Sequence, residues 1–322
     1  MRRPLMLLGF GFLLAVPALR AQNTECAPYN ASATASNLCN AGVDATRYFQ
    51  PLLGLVTSGG DPILGTAKTL GGFPHFTLGV RANATSLTLP DLSYNGTTDT
   101  VNSGSKIILP APVVEGSIGI YKGIGAGLLS VDALGSAVLL PVGAVKDLHV
   151  DPSATKIGDV VLGLGYGLRV GILRGTGPIP SISASVMRRS IPKIQYGDPA
   201  NVAGQNFGYS LDLHATSWRV TASTHLLILD VAAGAGYTTY TGDAQILFRD
   251  PIVPANIDSV NVKLNQSRGM VFADAGLDLF ILKLVGEVGW ESAGDLSPTT
   301  HFQDVDPKKG HLFGGVGVRV SF

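Results

Sequence analysis

Asp212 and His214 stand two residues apart in the stretch SLDLHAT, with Ser210 just ahead of them. In an extended chain, side chains at i and i+2 lie on one face. A hydroxyl, a carboxylate and an imidazole would then share one side of a strand, and these are the groups from which an activated nucleophile is built. The bland alternative is a hydrogen-bonded pair on the inner wall of a barrel. The six histidines are otherwise scattered, and no pair has the spacing of a helical metal site. No P-loop, G-x-S-x-G or H-E-x-x-H sequence occurs. The expectation is therefore no enzymatic activity, no metal and no cofactor.

The remaining chemistry lies in single charges set among apolar and small residues. Arg81, Arg169, Asp274, Asp278, Lys283, Glu287 and Arg319 each alternate with such neighbours. Together with Asp212 and His214 they read as a polar network facing the inside of a barrel. Arg81 belongs to the first strand, Arg319 to the last, and Lys283, Glu287 and Glu291 to the one before it. First and last strands adjoin when a barrel closes, so Arg81, Arg319 and Glu287 are expected to pair across that seam. A buried charge left alone is strongly destabilising.

Strands must carry these charges, and from Phe73 onward the hydrophobic period is two. Val160, Leu162, Leu164, Tyr166, Leu168 and Val170 alternate with Gly163, Gly165, Gly167 and Arg169; Asp274, Gly276 and Asp278 alternate with Ala273, Ala275 and Leu277. The clean repeats last about ten residues, the length that crosses a bilayer at a tilt of about 45°. Ten such segments are separated by turn sequences such as RGTGPIP and DPKKG, with twelve if Ser93–Pro110 or Ala244–Ser267 contributes. The segments Phe207–Thr216 and Arg219–His225 count as two.

Composition chooses between a soluble sheet and a membrane barrel. The chain is 45% hydrophobic but only 14% charged, against roughly 25% in soluble domains. In a soluble protein the face away from the core carries Lys, Glu, Thr and Gln. Here that face is largely Gly, Ala and Ser with sparse charges, which suits a crowded barrel interior. Leu, Val and Ile on the other face would meet lipid, with Tyr166, Tyr209, Tyr237, Trp290 and Phe322 as interfacial aromatics. The expected fold is all-β, an antiparallel transmembrane β-barrel of about 10–14 strands over residues 73–322.

Residues 1–21 have a basic start, a short apolar core and a small residue at Ala21, the pattern of a cleaved signal peptide. Without it 20 basic residues face 23 acidic ones (23 less Arg2, Arg3 and Arg20), so no basic excess points to nucleic acid. Cys26 and Cys39 are the two cysteines, and an oxidising compartment favours a disulfide between them. A lipid-bearing Cys26 is disfavoured because NTE, not small apolar residues, precedes it. Residues 22–72 are apolar but broken by Pro and Gly, and are expected to fold into the lumen as a plug. Phe49, Leu52, Leu53, Leu55, Ile63 and Leu64 are candidates to line a pocket for an acyl chain, with Lys68 or Arg47 meeting a carboxylate; a plug that only fills the lumen is the alternative.

The chain closes on GGVGVRVSF, with alternate apolar residues and a terminal Phe322. Such an ending looks like the signal by which the barrel-assembly machinery of bacterial outer membranes recognises its substrates. Three segments, Tyr48–Asn83, Leu109–Leu129 and Ile157–Leu173, with this last strand, resemble an uncharacterised family of bacterial outer-membrane barrels akin to long-chain fatty acid transport porins. The resemblance implies a barrel surrounded by outer-membrane lipid, with its N-terminal segment in the lumen, and passive passage of hydrophobic or amphipathic small molecules gated by that segment. The alternative is a structural or adhesive barrel with a closed lumen, working through Ser93–Lys106, Asp198–Gln205 and Asp250–Ser267. A lipid-modifying barrel enzyme ranks last.

Overall fold

The computed structural model describes residues 23–102, 104–125, 127–150, 156–157, 160–176, 179–303 and 305–322. The proposed signal peptide lies outside the described residues. Ten antiparallel strands form one closed barrel: β1 Phe76–Thr88, β2 Lys106–Tyr121, β3 Val131–Pro141, β4 Val160–Leu173 and β5 Ser181–Tyr196, then β6 Phe207–Leu226, β7 Leu229–Arg249, β8 Ile257–Leu279, β9 Leu282–Glu291 and β10 His311–Ser321. Each strand pairs with its sequence neighbour, and β10 closes on β1 from Thr77↔Ser321 to Thr85↔Phe313. Among the described residues, closure leaves none of the ten strands as a free edge in the turn-end half, as a sheet in lipid requires.

The two ends of the barrel differ. At one end the connections are residues 122–130, 174–180, 227–228 and 280–281, and there too lie the start of β1 and the end of β10. At the other end the connections span residues 89–105, 142–159, 197–206, 250–256 and 292–310. We call these the turn end and the loop end.

Side chains alternate in and out, but their polarity exchanges sides partway up. In β8 the inward residues are Asp278, Asp274, Phe272 and Met270 near the turn end, then Leu264, Val262 and Val260 toward the loop end. The outward residues run the opposite way, from Leu279, Leu277 and Val271 to Asn265, Lys263 and Asn261. β6 does the same, with Val220 and Trp218 outward below and His214 and Asp212 outward above. One pleat thus serves two environments, apolar outside near the turns and apolar inside near the loops. Phe207–Thr216 and Arg219–His225, read as two strands, are one strand through that exchange, and Ala244–Ser267 supplies the facing parts of β7 and β8.

The outward apolar side chains make a belt around the turn-end half. Val80, Ile118, Leu164, Val220, Val271, Val288 and Val316 are all exposed. Its upper rim carries Tyr166, Trp218, Tyr237 and Trp290, and its lower rim Phe76 and Phe322, whose rings stack at 5.0 Å. From Phe280 to Trp290 is ten residues of rise, about 25 Å at a strand tilt near 40°, the height of an outer-membrane apolar band. Tyr209 departs from the expected aromatic set: it faces inward, buried, with centroids 5.8 Å from Phe207 and 6.2 Å from Tyr196.

The N-terminal segment crosses the inside. After a short 3-10 turn, Thr24–Tyr29, helix α1 runs Ala33–Ser58. Ser32 caps it by accepting the Ala35 N–H, and Gly59 ends it at φ 60°, a conformation glycine adopts without strain. A helix satisfies its own backbone groups, so it can fill an apolar interior. Leu38, Val43, Phe49, Leu52, Leu53 and Val56 pack there against Leu211, Leu213, Ile246, Val260, Val262 and Leu264. Cys26 and Cys39 are disulfide-bonded, with Cα atoms 5.6 Å apart.

Candidate functional site

Below α1 the chain from Ser58 to Leu70 is irregular. The Thr66 N–H is shared between the Ile63 carbonyl and Asp61, the Ile63 N–H goes to Asp61 and the Lys68 N–H to Thr66, while many of its other peptide groups look outside the segment for partners. The barrel wall supplies their partners at belt depth. Arg81 donates to the carbonyls of Ser58 (3.2 Å) and Asp61 (2.8 Å), while its Nε lies 3.1 Å from Glu115. The Glu287 carboxylate accepts the N–H groups of Gly60 (3.0 Å) and Asp61 (2.6 Å). Arg219 donates to the Gly60 carbonyl at 3.1 Å. Glu115 accepts the Leu64 N–H at 3.0 Å, and Arg319 donates to the Leu64 carbonyl at 2.7 Å.

Further toward the turn end, Arg169 donates to the Thr66 carbonyl (3.0 Å) and holds Asp132 through two contacts of 2.9 and 3.2 Å. Asp132 in turn accepts the Leu70 N–H, and Ser223 accepts that of Ala67. Seven strands contribute a charged side chain to this cradle. Charge-assisted bonds of this kind are roughly twice as strong as neutral ones, and here they fix a backbone path.

The expected pairing of Arg81, Arg319 and Glu287 across the seam is therefore corrected. All three are buried on the inner wall, but each is directed at the 58–64 backbone, whose polar groups left unpaired would cost more than an unmade seam contact. Asp274 also faces inward beside this segment. Asp278 and Lys283 sit lower, where Lys283 pairs with Asp278 (2.8 Å) and with Asp230, and His225 lies 2.7 Å from Asp230. Asp212 and His214 are on the outer face above the belt, not in the lumen. At that height the inner face of β6 is the apolar set Leu211, Leu213 and Ala215 that meets α1. His214 bonds Ser190 at 2.8 Å, and Asp212 accepts the Asp243 N–H, so the two do not form a dyad with Ser210.

The expected acyl pocket is also corrected. Phe49, Leu52, Leu53, Leu55, Ile63 and Leu64 are at most 3% exposed and packed into the barrel rather than lining an open pocket. The cavity beside α1 at Tyr48, Tyr94, Phe207 and Tyr209 measures about 30 Å³, room for one water. Arg47 is paired with Glu25 at 2.6 Å, and Lys68 is exposed at the turn end. Among the described residues, open space includes a cleft of about 800 Å³ at the loop end, with Leu89, Leu92, Ile107 and Tyr196 in its wall, and a vestibule of about 860 Å³ at the turn end, with Lys68, Arg174 and Lys283 in its wall; a shallow groove of about 610 Å³ also lies on the wall of β1–β3 beside Leu78, Ile118 and Gly135. The helix and the cradled segment lie between the cleft and the vestibule.

The cradle residues Glu115, Asp132 and Arg219 escaped the sequence reading. Each is a single charge in a strand, and an alternation reading had the signal to find them. Their partners, peptide groups 58–70, leave no trace in side-chain pattern. At the loop end, Asp44 of α1 accepts the N–H groups of Thr299 and Thr300, both at 2.9 Å, and the Asn23 side-chain amide. Burial pushes its carboxyl above the ordinary value, and those three donors oppose the shift.

No protein-family model matches the chain, and none of the curated proteins does. Among solved structures the fold is similar to the translocator domain of the autotransporter NalP from Neisseria meningitidis (TM-score 0.43, 12% identity, covering 88% of this chain and 99% of that one). It is similar also to the outer-membrane protease OmpT from Escherichia coli (TM-score 0.41, 12% identity, 80% and 100%). A third is the toluene transporter TodX from Pseudomonas putida (TM-score 0.32, 12% identity, 77% and 88%). An outer-membrane protease is among these structures, so the expectation of no enzymatic activity is withdrawn.

Proposed function

We propose that this protein is a bacterial outer-membrane β-barrel whose resting lumen is closed by its own residues 23–72. The exposed belt, about as tall as the apolar core of that membrane, supports the location. The observation that carries the closed state is the cradle: wall charges from seven strands bind successive peptide groups of one buried segment. Phe322, at the lower rim, is read in this proposal as the residue the assembly machinery recognises.

Passive uptake of apolar or amphipathic molecules is a second reading, favoured by the loop-end cleft, where Ile108 is 73% exposed beside Leu89 and Leu92. In that reading a solute collects in the cleft and passes only when the cradled segment moves.

Planar-bilayer recording tests the closed state. The purified full-length protein is expected to be electrically silent, and the pair Arg81→Ala with Glu287→Ala to show discrete openings. Stable conductance in the unaltered protein would sink the proposal. A fluorescent naphthylamine probe that binds the unaltered protein but crosses liposomes only with the pair would support uptake as well.

A further inference from the structure

The direction of α1 carries a consequence for where the N-terminal part of the protein resides. Asn23 and the turn Thr24–Tyr29 sit at the loop end. Tyr29 packs edge-on to Phe248 near the top of β7 at 5.0 Å, and Asn37 donates to the carbonyls of Gly96 and Thr98 in the 89–105 connection. From there α1 descends, the cradle holds residues 58–70, and Thr69 meets Ser130 beside the 122–130 turn before β1 begins. The chain therefore runs through the barrel from loop end to turn end. In outer-membrane barrels the short turns face the periplasm and the long connections face outward.

We infer that residues 23–32, ahead of α1, lie on the outside of the cell, so that the barrel presents this N-terminal cap at the surface. This inference rests on the outer-membrane reading above. The C-terminal end of the lumen-filling segment is anchored at the turns, where β1 begins, and its N-terminal end is built into the outer cap. Three links fix it there: the disulfide between Cys26 and Cys39, the Arg47–Glu25 pair, and Asn23 bonded to Asn40 and Asp44. Ala31 and Thr24 are exposed in that cap.

Variants of the full protein with one added cysteine, the Cys26–Cys39 disulfide kept, test the placement in intact cells with a membrane-impermeant maleimide. Ala31→Cys reports the N-terminal cap, Ala255→Cys the loop end and Thr176→Cys the turn end; Thr24→Cys repeats the first outside the disulfide loop. Heat-dependent gel mobility certifies that each variant is a folded barrel. The expected result is labelling of Ala31→Cys and Thr24→Cys within about two-fold of Ala255→Cys, with Thr176→Cys labelled only after permeabilisation. Labelling of Ala255→Cys alone overturns the inference and leaves the barrel reading intact. Labelling of Thr176→Cys alone inverts the barrel and overturns it too. A protein recovered outside the membrane fraction defeats the reading on which it rests.

Discussion

The guanidinium of Arg81 meets acceptors from two distant parts of the chain, a carboxylate on the neighbouring strand and two carbonyls just below the helix. Its five donors suit this, since a planar fork can face several acceptors at once. Gly54 is the corresponding position on the helix. A Cβ there would lie 2.4 Å from the ring of Tyr240, which is wholly buried and donates to Glu291. Gly54→Val is therefore expected to destabilise the folded barrel by about 1–3 kcal/mol through overpacking, read as a lower urea midpoint in detergent. An unchanged midpoint would show that α1 stands away from β7. The inward direction of Arg81, Glu287 and Arg319 was legible in the sequence because each sits in a clean alternation with apolar residues. Their partners were not, because hydrogen bonds to peptide groups do not depend on which side chains the segment carries.

At the scale of elements, legibility followed the hydrophobic period. β4 and β10 keep one phase throughout and were readable end to end. β6 and β8 exchange their apolar face midway, which weakens any average over the whole strand, so β6 reads as two segments and the upper half of β8 shows no clear period. Asp212 and His214 read as lumenal for the same reason, from a polarity rule that holds only below the exchange. The long connections were equally opaque: nothing in residues 292–310 announces that Thr299 and Thr300 dock on Asp44. That contact should respond to pH. The folded-state value of Asp44 is raised above 3.8, so its contribution to stability is present at lower pH and is lost as pH rises through the raised value. Asp44→Asn should remove this part of the dependence. Urea midpoints measured across the acidic range should fall with rising pH more steeply in the unaltered protein than in the variant; equal slopes would refute the assignment.

For the whole molecule, the two tryptophans are Trp218 and Trp290, and both lie outward at the upper rim of the belt. In reconstituted vesicles, intrinsic fluorescence should be quenched more strongly by lipids brominated near the headgroup than by lipids brominated at the chain ends. Stronger quenching from the chain ends would place the rim at mid-membrane, and no quenching by either would remove the protein from lipid.

The exchange of polarity along β6 and β8 also works as a draught mark on a hull. Sinking the barrel by one pleat repeat would carry Lys263, Asn265 and His214 toward hydrocarbon, and lifting it would wet Val271 and Val220. Either displacement opposes itself. The strands that enclose the helix therefore also set how far the protein stands proud of the membrane, and hold its outer cap at a fixed height above the lipid.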